Sequence, residues 1–193
     1  MRVFVAGATG AIGRPLVQVL VNAGHEVAGL TRRPEKAAQL TAAGATPVVC
    51  DLFDPALAAA VADFAPDVVV HEVTDLPEHM SLFPLKVVSL NRARTKGTDI
   101  LIAAARAAGA QHFVAQSLAF KAPAPVRKAV EYLEAETLAY PGVVLRYGYF
   151  YGPGTWYPEG TDKEPRLHVA HAATRTVELL TADPGVYEVT DSA

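Results

Sequence analysis

This sequence predicts a doubly wound α/β fold, a parallel sheet with helices on both faces, and three observations carry the prediction. Apolar runs of strand length alternate with alanine-rich helical stretches along most of the chain. The strand runs are apolar throughout, as in Val68-Val69-Val70 and Val143-Val144-Leu145, which is the pattern of strands buried on both faces. The first run breaks at Gly7 into glycines spaced three and three (Gly7, Gly10, Gly13), and Ile12, Leu16, Val19 and Ala23 then repeat at helical intervals.

In chain order the pattern predicts strand 2–6, helix 11–23, strand 25–31, helix 34–43, strand 46–50, helix 55–64 and strand 67–71. A long helical region over 82–108 follows, then strand 111–117, helix 126–139 and strand 142–148. Gly24, Gly44 and Gly109 stand where helix ends want a left-handed residue. Strands joined through helices take right-handed crossovers and pair in parallel. After Tyr151 the character changes: Gly152-Pro153-Gly154-Thr155-Trp156-Tyr157-Pro158 is turn-rich and 159–166 is polar. A helix over 169–181 and a short strand over 186–189 follow. The division expected is a nucleotide-binding unit over 1–150 and a small, partial substrate region over 151–193.

Composition narrows the function. Of 193 residues, 51% are hydrophobic and 19% charged, enough for a sizeable core. A net charge of −3 gives no basic excess, so no nucleic-acid partner is expected. The single Cys50 can form no internal disulfide, and the apolar start is too short to span a membrane. A cytoplasmic protein with a small-molecule substrate and no membrane partner is the expectation.

The glycine turn supplies the first chemistry. Between a strand and a helix, glycines let the backbone take conformations a side chain forbids and let a ligand approach closely. The helix start offers unpaired N–H groups and a partial positive charge, the setting for a pyrophosphate. Gly7, Thr9, Gly10, Ala11, Ile12 and Gly13 are therefore candidate cofactor-binding residues, the alternative being an ordinary glycine-rich turn. The second strand ends at Leu30-Thr31-Arg32-Arg33, where an NAD-selective site carries an acid for the ribose 2′-hydroxyl. Two arginines there favour a 2′-phosphate, hence NADP over NAD, unless they are a solvated basic pair. Asp51 and Leu52 follow the third strand; Asp51 can accept from the adenine amino group or serve only the helix start near Asp54.

These residues together resemble the short-chain dehydrogenase/reductase superfamily in its extended or atypical branch, the NAD(P)-dependent epimerases, dehydratases and reductases with a Rossmann-type fold. The stretches that match are Gly7 to Gly13, Asp51-Leu52, Val70-His71, Asn91 through Gly97-Thr98 to Gly109 with Phe113 to Ser117, and Leu145 to Gly154. The resemblance implies that Ser117 is the substrate-facing serine and Asn91 the helix asparagine, both catalytic candidates, that His71 belongs to the cofactor site, and that the loop after 150 borders the substrate. It also suggests a homodimer through the helices of 82–108 and 126–139, the alternative being that their apolar faces are spent on the sheet.

Two departures qualify it. None of the seven tyrosines has a lysine four residues on, although the family's reactive pair is a tyrosine and a lysine so placed. Tyr132 comes nearest, but Glu136 stands in the lysine's place and would raise the phenol's pKa. The segments near 119–124 and 156–166 are also short, as if loops and a C-terminal part were lost or lay outside this sequence. His71 and His79 near Asp75 and Glu78, and the pair His168 and His171, are weaker metal candidates without a convincing ligand set, so no metal is expected. Tyr147, Tyr149, Tyr151, Trp156 and Tyr157 form an aromatic group suited to a pocket wall or to packing. The functional expectation is an NAD(P)-dependent oxidoreductase or epimerase/dehydratase-like protein acting on a small carbonyl or hydroxyl compound, with a nucleotide sugar among the candidates. The alternative is a catalytically silent NADP-binding module that senses redox state.

Overall fold

The computed structural model describes residues 1–77 and 79–191. Seven strands form one parallel sheet: β1 (Arg2–Ala6), β2 (Glu26–Thr31), β3 (Thr46–Val49), β4 (Val68–His71), β5 (His112–Leu118), β6 (Gly142–Tyr147) and, near the chain's end, a strand over Gly185–Val189. The strand order is 3-2-1-4-5-6 with the last strand outside β6. The chain therefore builds outward from β1 to β3, then returns across β1 to lay down β4 on its other side. That reversal leaves a crevice between β1 and β4 at their carboxyl ends, the place where such sheets hold ligands.

The helices fill the two faces. On one face α1 (Gly13–Asn22) buries Leu16 and Leu20 against Val3, Val5 and Leu145. On the other, α3 (Ala56–Phe64) and α5 (Lys96–Ala107) bury Leu57, Val61 and Leu101 against Phe4, Val69 and Phe113. Alternation along each strand divides the apolar side chains between the faces, so Val68 and Val70 join the first core and Val69 the second. A short α2 (Ala37–Ala42) follows β2, and α4 (Phe83–Arg94) packs with α6 (Ala124–Ala139) through Leu90, Val126 and Val130.

The structure departs from the sequence expectation in three places. The helical region over 82–108 is two helices, broken at Thr95, whose backbone (φ −99°, ψ −80°) leaves the helical range while its hydroxyl donates to the Asn91 carbonyl at 2.9 Å. The first helix begins at Gly13 instead of 11, because the preceding turn is closed by Gly10 N–H donating to the Gly7 carbonyl at 2.9 Å. The C-terminal part holds an unexpected two-stranded sheet, β7 (Tyr149–Tyr151) beside β8 (Arg166–His168). Beyond it, α7 (Val169–Glu178) packs on α1, and β9 (Gly185–Val189) pairs with β6, so residues after 150 complete the first core instead of building a second one.

Candidate functional site

A cleft of about 910 Å³ runs over the carboxyl ends of the strands. Its middle is the turn after β1. Gly7 has φ +92°, and a Cβ there would lie 2.9 Å from the Glu72 backbone, so only glycine lets this turn approach β4 so closely. Gly10 differs, since its absent Cβ would meet only the Gly7 carbonyl at 3.2 Å and the residue is exposed along the cleft. Thr9 and Ala11 also line the cleft, and Thr9 Oγ1 lies 3.4 Å from Thr31 Oγ1, linking the turn to the end of β2. Ile12 and Gly13 are buried and do not line it: Ile12 packs in the core, and a side chain at Gly13 would be driven into the Gly7 carbonyl and the Ala8 backbone. Of the six turn residues singled out in sequence, four face the cleft and two seat the helix behind it. Arg14, which sequence reasoning passed over, lines the cleft in the first turn of α1 and adds a cation beside the helix start.

Arg32 and Arg33 both line one end of the cleft. Arg32 donates to Asp75 Oδ1 at 2.7 Å, and Asp75 also faces Lys86 Nζ at 3.6 Å. Burial alone would raise the Asp75 pKa, but a Ser89 hydrogen bond and the two cations hold it below the usual carboxylate value. Asp51 and Leu52 line the same end. Asp51 Oδ1 accepts from the Phe53 N–H at 2.9 Å, closing a local turn, whereas Asp54 takes the helix-start contact with Ala56 N–H at 2.8 Å. Arg92 lies over the Phe53 ring, 3.8 Å from its centroid.

Ser117, Asn91 and His71 are not brought to the cleft surface. Side chains alternate along β5, so Gln116 and Leu118 line the cleft while Ser117 between them turns away. Its hydroxyl donates to Glu134 on α6, whose carboxylate is gripped by Arg146 through Nε at 2.9 Å and Nη2 at 2.6 Å. The expected substrate-facing serine is thus a tie between β5, α6 and β6. Asn91 lies in α4 and donates to the Pro125 carbonyl at 3.0 Å, holding α4 to the start of α6. His71 is 1% exposed; burial lowers its pKa to about 4, so the ring is neutral, and Nδ1 accepts from Val73 N–H at 3.3 Å.

The other end of the cleft is aromatic. Phe120 and Tyr149 stack with centroids 3.7 Å apart, Lys163 Nζ lies 5.3 Å from the Tyr149 ring, and Trp156 donates to the Pro77 carbonyl at 2.9 Å. Tyr149, Trp156 and Tyr157 line this end, while Tyr147 is buried in the core beneath and Tyr151 packs edge-on to His168. Two further ionisable groups in the wall escaped sequence reasoning. Glu72, 7% exposed, accepts from Tyr147 at 3.3 Å, and burial raises its carboxyl to about 8 despite that bond. Arg94 is 4% exposed. An acid two residues after Val68-Val69-Val70, at the end of an apolar strand, was a legible signal for Glu72. Nothing in the sequence separates the buried Arg94 from the exposed Arg92.

Tyr132 shows why a tyrosine on α6 does not replace the absent Tyr–Lys pair. It donates to Asp99 at 2.7 Å, and that bond, with the Asp99 and Glu136 charges, lifts the phenol to about 12. Among the described residues no cluster of three metal-ligating side chains occurs, Asp75 is engaged by its cations, and Glu78 lies outside the described residues. His171 Nδ1 pairs with Asp191 Oδ1 at 2.6 Å, and His168 Nδ1 accepts from Ala170 N–H at the start of α7. No helix among the described residues is long and apolar enough to cross a membrane.

Residues 7–150 match the model of a family described as NAD(P)H-binding. The chain belongs to that NAD(P)H-binding family. It is 41% identical to a 3-diazoavenalumate denitrifying reductase of Streptomyces over 81% of this chain, and it spans 59% of that relative's length. Among solved structures it superposes on a protein assigned as an NAD-dependent epimerase/dehydratase from Bacillus halodurans with a TM-score of 0.81 at 21% identity, covering 100% of this chain and 94% of that one. A UDP-glucose 4-epimerase of Thermus thermophilus solved with NAD gives 0.77 at 23% identity, covering 100% and 78%. At these identities the structures establish the shared fold, which is the parallel Rossmann-type sheet expected from sequence.

Proposed function

We propose that this chain binds NADP(H) in the cleft and serves as the cofactor-binding part of a reductase acting on a small organic compound in the cytoplasm. The observation that carries the reading is the placement of Gly7, Thr9, Gly10 and Ala11 at the β1/β4 reversal, with Arg32 and Arg33 at one end of the same cleft and an aromatic wall at the other. The residues fit a dinucleotide: a glycine turn that a pyrophosphate can approach, cations for a 2′-phosphate, and Asp51 with Leu52 beside an adenine. Bound there, the nicotinamide would supply hydride chemistry. Gln116, Tyr149 and Trp156 line the wall where a substrate would be held and shielded from water. The Streptomyces relative's reductase name supports reduction over epimerisation, and the aromatic wall suits a flat substrate better than a sugar. The exposed Leu85 and Val88 on α4 support a homodimer as its working form.

A second reading, a silent NADP-binding sensor, is favoured by one observation: the Ser117 hydroxyl is held by Glu134 away from the cleft. Calorimetric titration with NADP and NAD tests the cofactor assignment. A charged hydrogen bond to a 2′-phosphate contributes about 1.5–3 kcal/mol, so losing even one such contact in Arg32→Ala with Arg33→Ala should weaken NADP by roughly 10- to 150-fold and leave NAD nearly unchanged. Equal loss for both cofactors overturns the NADP assignment. Absence of NADPH oxidation across carbonyl, diazo and quinone substrates, with tight NADP binding retained, selects the sensor.

A further inference from the structure

Several cations in or beside the cleft have a visible partner. Arg32 and Lys86 share Asp75, Arg92 lies over Phe53, and Lys163 over Tyr149. Among the described residues Arg94, the last residue of α4, has no ion-pair partner. It is 4% exposed and lines the cleft, yet Nη1 is buried without a hydrogen-bond partner, and no ion pair reaches it among the described residues. Burial lowers its pKa to about 10, so the group stays charged at neutral pH. Its neighbour His71 is neutral and offers no counter-charge. The Thr98 hydroxyl donates to the Arg94 carbonyl at 2.7 Å, fixing the backbone from which the side chain extends.

A guanidinium taken from water and left unpaired is strongly unfavourable, and folded chains tolerate such a group where something else completes it. Its planar fork of donors matches the two oxygens of a phosphate or carboxylate, and low-dielectric walls such as Leu90 and Ala93 strengthen that bond. We infer that Arg94 is the deep anion anchor of the cleft, taking two oxygens of a phosphate or carboxylate group on the molecule bound there. This rests on the reading of the cleft as a dinucleotide site. The oxyanion is either the pyrophosphate of the dinucleotide or an acid group on the second substrate.

The test compares the wild-type chain with Arg94→Met, similar in volume and uncharged, and with Arg94→Lys, using thermal melts and titrations with pyrophosphate, benzoate and NADPH. Wild type should melt higher with pyrophosphate or benzoate. Arg94→Met should melt no lower than wild type without ligand, because an unpaired buried charge has been removed, and should lose the anion-induced rise. Arg94→Lys, which keeps the charge but not the fork, should keep part of it. If the pyrophosphate is the partner, NADPH affinity of Arg94→Met falls roughly 10- to 150-fold; if a substrate acid is the partner, the benzoate response is lost and NADPH affinity holds. Arg94→Met retaining the wild-type response to all three ligands overturns the inference while leaving the dinucleotide reading intact. A wild-type chain that responds to neither anion also overturns it, and one that does not bind NADPH sinks the functional reading separately.

Discussion

Glu72 and His71 are adjacent, both buried, and displaced in opposite directions. Burial raises the Glu72 carboxyl from 4.5 to about 8 and lowers the His71 imidazole from 6.5 to about 4. For Glu72 the folded chain keeps a proton the unfolded chain has lost, so its stabilisation is complete below 4.5 and is lost as pH rises through about 8. For His71 stability is complete above 6.5 and is lost as pH falls through about 4. Between 6.5 and 8 only Glu72 acts, and stability should fall with a slope of at most about 1.4 kcal/mol per pH unit. Glu72→Gln, which can still bond Tyr147, should flatten that slope in urea melts taken across the window. An unchanged slope in the variant means that Glu72 is ionised in the fold.

At the scale of the element, the turn from β1 into α1 divides one motif between two tasks. Gly13 has backbone where a side chain would go, so Gly13→Ala must push α1 off the turn at a cost of about 1–3 kcal/mol and a lower melting temperature. Gly10 faces the cleft, and a Cβ there would meet only the Gly7 carbonyl at 3.2 Å, so Gly10→Val should still fold, with a melting temperature lowered less than that of Gly13→Ala. Its branched side chain would stand where a pyrophosphate must approach, and NADP affinity should fall on the order of 100-fold. A folded Gly10→Val protein with unchanged NADP binding rejects the phosphate-turn assignment. The spacing of three and three is one pattern in sequence; the contacts separate its members.

At the scale of the whole molecule, α4 exposes Leu85 (80%) and Val88 (81%), three residues apart and therefore on one face. If α4 forms the homodimer contact, light scattering at tens of micromolar should give twice the chain mass, and Leu85→Asp with Val88→Asp should give the monomer with NADP binding retained. A monomeric wild type at that concentration rejects the dimer.

The class of fold and the position of the cleft were legible in the amino-acid order alone. Two-sided burial makes parallel strands uniformly apolar, and the glycine turn and the Arg32-Arg33 pair are local patterns contiguous in the chain. The break at Thr95 and the β7–β8 pair escaped that reading, because the first depends on how Asn91 and Thr95 meet and the second joins segments fifteen residues apart. Which side chains reach the cleft was decided only in three dimensions. Ser117 and Gln116 are neighbours on β5, and the register of that strand sends one to Glu134 and the other to the cleft wall. Arg92 and Arg94 are likewise two apart on one helix, yet one lies over Phe53 in the open and the other is enclosed, its Nη1 without a hydrogen-bond partner among the described residues. Burial and pairing are properties of what packs from elsewhere in the chain, and no local spacing encodes them.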